Sequence, residues 1–332
     1  MVVPAGYIAG FRCTLATCDV SKWGFIHYQP SIPGNVLFLI IIDALALAQL
    51  VLGIKYKTGV VCVSMLLGLA CESLGYVARI LMHYDPFNRA YFLWYLICLT
   101  IGPAFLAAAI YVCLGRIVVV YGEHISRIRP RTYTFLFMGC DFVSLVVQAI
   151  GGGVAASVPL TDQNTIDLGT HILVAGLSFQ VASLFAFSVC SVEFLWRVHR
   201  QRSNRNLEHA DLYESRKFMW LLISLGLATV CLFVRTVFRS VELSGGFSGH
   251  LANSEVQFMV LDGVMVIIAC ISLTIMHPGI GFGDKWADSK FSFGRKRVAL
   301  VQEAEREENP ASKEKLDVSV SPRQRNEVEL EE

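Results

Sequence analysis

Residues 60–82 read VVCVSMLLGLACESLGYVARILM, an apolar run that holds Glu72 and Arg79 seven positions apart. A run this long is a membrane-crossing helix, because spanning the hydrocarbon takes about 20 residues. Seven positions is two helical turns, so the acid and the guanidinium share one face. A charge at that depth is costly and turns toward the interior of a bundle. The pattern decides the fold because it recurs. Further apolar runs lie at 34–53, 91–119, 132–157, 170–196, 217–240 and 256–276, and nearly all hold an ionisable or amide side chain. The chain is therefore read as an all-α membrane protein, a seven-transmembrane helix bundle with a polar interior.

Composition agrees. The chain is 54% hydrophobic and 17% charged, and its mean hydropathy is +0.53, values far from those of a soluble domain. A net charge of +1 over 332 residues gives no field that would draw nucleic acid. The start, Met-Val-Val-Pro-Ala-Gly-Tyr, has no basic region of a cleavable signal, so the first span is expected to direct its own insertion. Three segments follow: an N-terminal stretch 1–32, a membrane domain 33–279, and a polar tail 280–332 with too little apolar content to pack.

Lys and Arg set the orientation. Lys55 and Lys57 follow span one, Arg127, Arg129 and Arg131 follow span three, and Arg200, Arg202, Arg205, Arg216 and Lys217 follow span five. The alternate loops carry Arg89 alone. This predicts an N-terminus outside and a C-terminus in the cytoplasm. Cys13 and Cys18 then share an extracytoplasmic segment where a disulfide can form. The other eight cysteines lie in spans, and with no C-x-x-C pair they read as packing residues. No metal site or cofactor is expected.

The candidate functional residues are the polar groups inside the spans. Besides Glu72 and Arg79, these are Asp141 and Gln148 in span four, Gln180 in span five, Arg235, Arg239 and Glu242 along one stripe of span six, and Glu255 and Asp262 at span seven. The topology puts Arg79, Arg235, Arg239 and Glu242 in the outer half. Glu255 lies at the outer mouth, Asp262 two turns deeper, and Glu72, Gln148 and Gln180 near mid-depth. Two readings follow. Interhelical pairs such as Arg79 with Asp262 or Glu72 with Arg235 would fix packing, each worth about 1 kcal/mol. Alternatively the set lines a hydrated cavity open to the outside, which so many full charges favour. Gly102-Pro103 in span three frees a backbone carbonyl and kinks that helix. Gly151-Gly152-Gly153 allows either close helix approach or local unwinding. His171, His277, Trp94, Tyr95, Trp196 and Trp220, at span ends, are expected at the interfaces.

Nothing in the chain matches a P-loop, a zinc-protease helix or a nucleophile elbow, so it is read as a non-enzyme without its own ATPase. Three functions compete. One is an ATP-independent transporter of amphiphiles. The second is a seven-span receptor or sensor. The third, an intramembrane enzyme using the carboxylates, finds no histidine cluster to support it.

The same residues form a pattern that resembles the fungal lipid-translocating exporters, the RTA-like proteins named for resistance to aminocholesterol. It runs over 28–279: Tyr28-x-Pro30-Ser31 with Asn35, then Glu72-x-x-Gly75-Tyr76-x-x-Arg79, then Pro103-x-Phe105 with Tyr111 and Arg116. Asp141, Gln148 and Gly151-Gly152 continue it, followed by Gly176 with Gln180. Arg235-x-x-Phe238-Arg239-x-x-Glu242, Glu255, Asp262 and His277-Pro278-Gly279 close it. The resemblance implies export or flipping of lipid-like amphiphiles in the plasma membrane or an endomembrane. Sphingoid bases, sterol-like compounds and porphyrins are associated with different members, and the partner implied is a membrane lipid or amphiphilic small molecule.

Overall fold

The computed structural model describes residues 14–15, 17–23, 26–121, 130–157, 163–200, 210–213, 215–245 and 253–286. Among these described residues, seven helices are long and apolar enough to cross a membrane: Ile32–Lys55, Gly59–Tyr84, Arg89–Tyr121, Thr132–Ala155, Asn164–Arg200, Arg216–Ser244 and Glu255–Phe282. Each expected span is found, six with ends extended into the polar flanks and the fourth, expected over 132–157, at Thr132–Ala155. Leu, Val, Ile, Ala and Phe fill the helices, whose backbone groups must be satisfied internally in hydrocarbon.

Sequential spans pack side by side, and span seven returns to span one, so the bundle closes. Span three also touches span six and occupies the centre. In its most apolar stretch 78% of residues are buried, against 22% for span one. This explains why span three is apolar on all sides while span one turns Leu37, Ile40, Leu47 and Val51 outward. Asp43 is exposed on span one, whereas Gln49 is buried and donates to Thr274 Oγ1 at 2.9 Å.

Of the three glycines of span four, Gly151 makes a close approach, while a Cβ on Gly153 would meet nothing within 4 Å. Pro130–Ser157 is a continuous helix, and a Cβ on Gly151 would stand 2.7 Å from the Gly169 carbonyl of span five. Span seven is the irregular element. One α-turn, Glu255–Gln257, leads into a π-helix, Phe258–Val264, before the α-helix Met265–Ile275. A short helix, Pro278–Phe282, and a 3-10 turn, Gly283–Trp286, then fold against the bundle. Arg116 anchors that turn, donating to the Trp286 carbonyl at 2.7 Å with its guanidinium 3.6 Å from the indole ring centre.

His277 departs from its expected interfacial place. It is 0% exposed. It caps the short helix by accepting from Gly279 N at 3.1 Å, and its other ring nitrogen lies 3.4 Å from Thr58 Oγ1. The chain breaks between the two helices there, and the imidazole satisfies an amide the break leaves free. Trp94, Trp196 and Trp220 are exposed, but Tyr95 is 4% exposed and belongs to the interior. Cys18 is disulfide-bonded. Cys13, most of the N-terminal stretch and the tail from residue 287 lie outside the described residues.

Candidate functional site

Spans two, six and seven each turn one polar stripe toward the others. Glu72, Arg79 and Asp262 are 0% exposed, Arg239 1%, Arg235 2% and Glu242 3%. Arg235 ties the stripes together. Its Nη2 lies 3.3 Å from Glu72 Oε1, and its Nε lies 3.1 Å from Asp262 Oδ1. The same Nη2 donates to the carbonyl of Leu99 in span three. That carbonyl would be the helical partner of residue 103, and Pro103 has no N–H to offer it. The proline thus hands a backbone acceptor to a buried guanidinium. Two close approaches need glycine: a Cβ on Gly102 would lie 2.8 Å from Glu72 Oε1, and one on Gly263 would lie 2.6 Å from Tyr76 Oη.

Arg79 sits at the next level. It donates from Nε to Asn35 Oδ1 at 2.9 Å and from Nη2 to Tyr28 Oη at 3.0 Å. Its guanidinium lies 3.9 Å from the Phe258 ring centre, and Glu255 Oε1 is 4.0 Å away. Glu255 also accepts from Ser31 N at 2.7 Å. Burial pushes the Tyr28 phenol above its ordinary pKa of 10.0, against the opposing pull of Arg79. Arg239 donates to Glu242 Oε2 at 2.7 Å and to Tyr95 Oη at 3.1 Å.

The expected pair of Glu72 with Arg235 is present, and the expected pair of Arg79 with Asp262 is not. The reason is register. Spans two and seven run in opposite directions, and seven residues of helix cover about 10 Å. Glu72 therefore shares a level with Asp262, and Arg79 shares one with Glu255.

Several polar atoms of this cluster have no hydrogen-bond partner among the described residues. They are Glu72 Oε2, both Asp262 carboxylate oxygens, Tyr76 Oη, Arg79 Nη1, Arg235 Nε and two nitrogens of Arg239. Asp262 Oδ1 and Arg235 Nε are within ion-pair distance, yet the N–H does not point along the contact. A buried unpartnered polar group costs about 1–3 kcal/mol, more when charged.

Not all ten candidates converge, and the cluster is covered rather than open, its three arginines no more than 2% exposed. Seven of them form the cluster: Glu72, Arg79, Arg235, Arg239, Glu242, Glu255 and Asp262. The other three lie between spans three, four and five. Tyr111 Oη donates to Asp141 Oδ2 at 2.9 Å. Gln148 Nε2 donates to Ser144 Oγ at 2.6 Å and to Gln180 Oε1 at 3.1 Å, and Ser144 Oγ donates to the Gly176 carbonyl at 2.7 Å. Among the described residues, no hydrogen bond or ion pair of these three reaches the arginines of the cluster. The aromatic partners Tyr76 and Tyr95 and the Leu99 carbonyl were not among the candidates. The proline was the signal for the carbonyl; Tyr95, beside Trp94 near a span end, gave none.

Comparison with known proteins bears on the whole bundle. Residues 65–285 match the family model described as RTA1 like protein. The sphingoid long-chain base transporter RSB1 of Saccharomyces cerevisiae is 34% identical over 238 residues, 64% of this chain and 62% of the relative. Protoporphyrin uptake protein 1 of the same species is 28% identical over 209 residues, covering 63% of this chain and 65% of that one. Protein RTM1, also from Saccharomyces cerevisiae, is 30% identical over 207 residues, 61% and 63% of the two chains. The alignments thus span under two thirds of these relatives' lengths. No solved structure matches the chain.

Proposed function

This chain belongs to the RTA1-like family, and from that premise we propose that it moves lipid-like amphiphiles with a cationic head group, sphingoid long-chain bases foremost, across the membrane it spans. The observation that carries the proposal is the charge of the cluster. Three guanidiniums, Arg79, Arg235 and Arg239, face four carboxylates, Glu72, Glu242, Glu255 and Asp262. Fully ionised, they leave one negative charge. One ammonium group brings the cluster to neutrality, and unpaired charge is what low dielectric penalises most.

Stereochemistry points the same way. Glu72 and Asp262 flank one guanidinium, and among the described residues three of their carboxylate oxygens accept no hydrogen bond, although Asp262 Oδ1 lies within ion-pair distance of Arg235. An ammonium has three N–H donors. The unpartnered arginine nitrogens can in turn donate to hydroxyls next to the amine. The alkyl chain stays in contact with apolar surface, where each CH₂ kept from water is worth about 0.8 kcal/mol. The transporter name of the relative at 34% identity supports the cargo class.

The loop charges support an N-terminus outside and a cytoplasmic C-terminus, with the plasma membrane as the site of action. With no P-loop in the chain, movement is downhill, proton-coupled or assisted by a partner. The test is transbilayer movement of a fluorescent sphingoid base and a fluorescent phospholipid in liposomes holding the purified protein. The base is expected to equilibrate faster than in empty liposomes, and Glu72→Gln with Asp262→Asn is expected to abolish the gain. Unchanged movement in the double variant would remove the cluster from the path. Saturable binding without movement would assign the site to a sensor.

A further inference from the structure

The acid on span four stands in a different electrostatic position from those of the arginine cluster. Asp141 is 4% exposed, and no cation among the described residues lies within ion-pair distance of it. Among the described residues its hydrogen-bond partner is a neutral phenol, Tyr111 Oη at 2.9 Å on Oδ2, and Oδ1 has none. Tyr111 is itself walled by Phe187 and Phe137, with ring centres 4.5 and 5.9 Å away. Of the helices packed against span four, span three presents Tyr111. Span five presents the neutral Gln180 and Ser183. Cys140, next in sequence, is the adjacent thiol.

One to two helical turns along the same stripe lies a seam of neutral hydrogen-bonding groups. Ser144, Gln148 and Gln180 are joined there, Ser183 lies one turn from Gln180, and Gln148 Oε1 and Ser183 Oγ are unpartnered. An ionised carboxylate with no counter-charge in hydrocarbon carries a Born cost that drives it to take up a proton. The acids of the arginine cluster differ in having Arg235 or Arg239 within ion-pair distance.

We propose that Asp141 is a proton-binding site distinct from the head-group cluster, and that binding and release of its proton couples amphiphile movement to a proton gradient. The coupling rests on the transport reading above; the proton site does not. One site carries the amine and the other the proton, so the two charges are never forced onto one carboxylate. The proton is taken from water, held as the neutral acid on Oδ1 with the Tyr111 hydroxyl on Oδ2, and returned to water with the seam as its polar route.

The test uses the full-length protein in lipid nanodiscs. Infrared difference spectra between the native protein and Asp141→Asn are expected to contain the carbonyl stretch of a protonated carboxyl, and that band is expected to vanish on alkaline titration. Tyr111→Phe keeps the acid, so it is expected to retain the band at a shifted frequency, and this arm serves if Asp141→Asn does not fold. In liposomes, Asp141→Asn is expected to equilibrate a fluorescent sphingoid base but lose its concentration by a pH gradient. Absence of the band at every pH in the native protein would overturn the proton site. A band unchanged in frequency by Tyr111→Phe and unchanged in size by Asp141→Asn would overturn it equally, as would loss of the band on adding sodium at fixed pH. If no base moves even in the native protein, the transport reading fails while the infrared result still decides the proton site.

Discussion

Arg235 is the residue on which the cluster turns, because it contacts Glu72, Asp262 and the Leu99 carbonyl at once. Truncating one partner of a buried ion pair leaves the other charge uncompensated and costs about 3–5 kcal/mol. Arg235→Ala is therefore expected to lower the thermal unfolding temperature far more than Arg197→Ala. Arg197 pairs with Glu193 at 3.0 Å on a partly exposed surface, where such pairs are worth about 0–1 kcal/mol. Equal shifts would contradict the central place given to Arg235. Tyr28 supplies a pH signature. Its phenol titrates above 10.0 in the folded chain because burial opposes the charge. The unfolded chain then releases that proton first, so the stability is intact below pH 10.0 and is lost as pH rises through the folded value. Tyr28→Phe should flatten the alkaline fall in thermal stability, and an unchanged slope would count against the assignment. At this scale the sequence was informative about which groups are buried. It was silent on partners, because a pair depends on the register between helices. Glu72 with Arg235 is legible in the sequence; Arg79 meets Glu255 rather than Asp262 because spans two and seven run in opposite directions.

At the level of elements, two irregularities build the site. In span three, Pro103 removes one helical hydrogen bond and Gly102 leaves room for Glu72. Pro103→Ala restores an N–H for the Leu99 carbonyl, which then competes with Arg235. The variant should unfold at a higher temperature, since a helix-interior proline costs about 3 kcal/mol, yet move amphiphile more slowly. Both higher stability and unchanged transport would mean that the proline serves shape alone. In span seven, Asp262 lies within the π-helix Phe258–Val264. Such segments arise inside α-helices and cluster at functional positions. Deleting Val260, which is 46% exposed, should return the segment to α-geometry and turn Asp262 away from Arg235. The protein should still insert but lose transport. Retained transport would show that Asp262 reaches the site without the π-turn. The proline could be read from the sequence. The π-helix could not, since seven residues of mixed apolar character carry no mark of their hydrogen-bond period. The three glycines of span four left two outcomes open, and close contact with Gly169 chose between them.

For the molecule as a whole, the hydropathy pattern was sufficient to find all seven spans, because the hydrocarbon thickness sets their length and their backbone must bond internally. What it could not reveal is which polar stripes meet. Packing divided the ten candidate residues between two places: seven in a charged cluster, and three beside Tyr111 and in the seam between spans four and five. That division suggests separate seats for a head group and a proton. The orientation argued from loop charge predicts that epitopes at the C-terminus are reachable only after the membrane of intact cells is opened, while epitopes at the N-terminus are reachable before. The reverse pattern would invert every step of the transport scheme.

The central claim is that the cluster of spans two, six and seven holds the amine end of a long-chain base. The most direct measurement is photo-crosslinking of the purified full-length protein in nanodiscs, using a sphingoid base with a photoreactive group next to its amine. Adducts are then mapped by mass spectrometry. The account predicts adducts on the peptides carrying Tyr76 to Arg79, Tyr95 and Phe258 to Asp262, displaced by unlabelled base and lost in Glu72→Gln with Asp262→Asn. Adducts spread over the lipid-facing residues of span one, such as Ile40 and Leu47, and not displaced by unlabelled base, would contradict it.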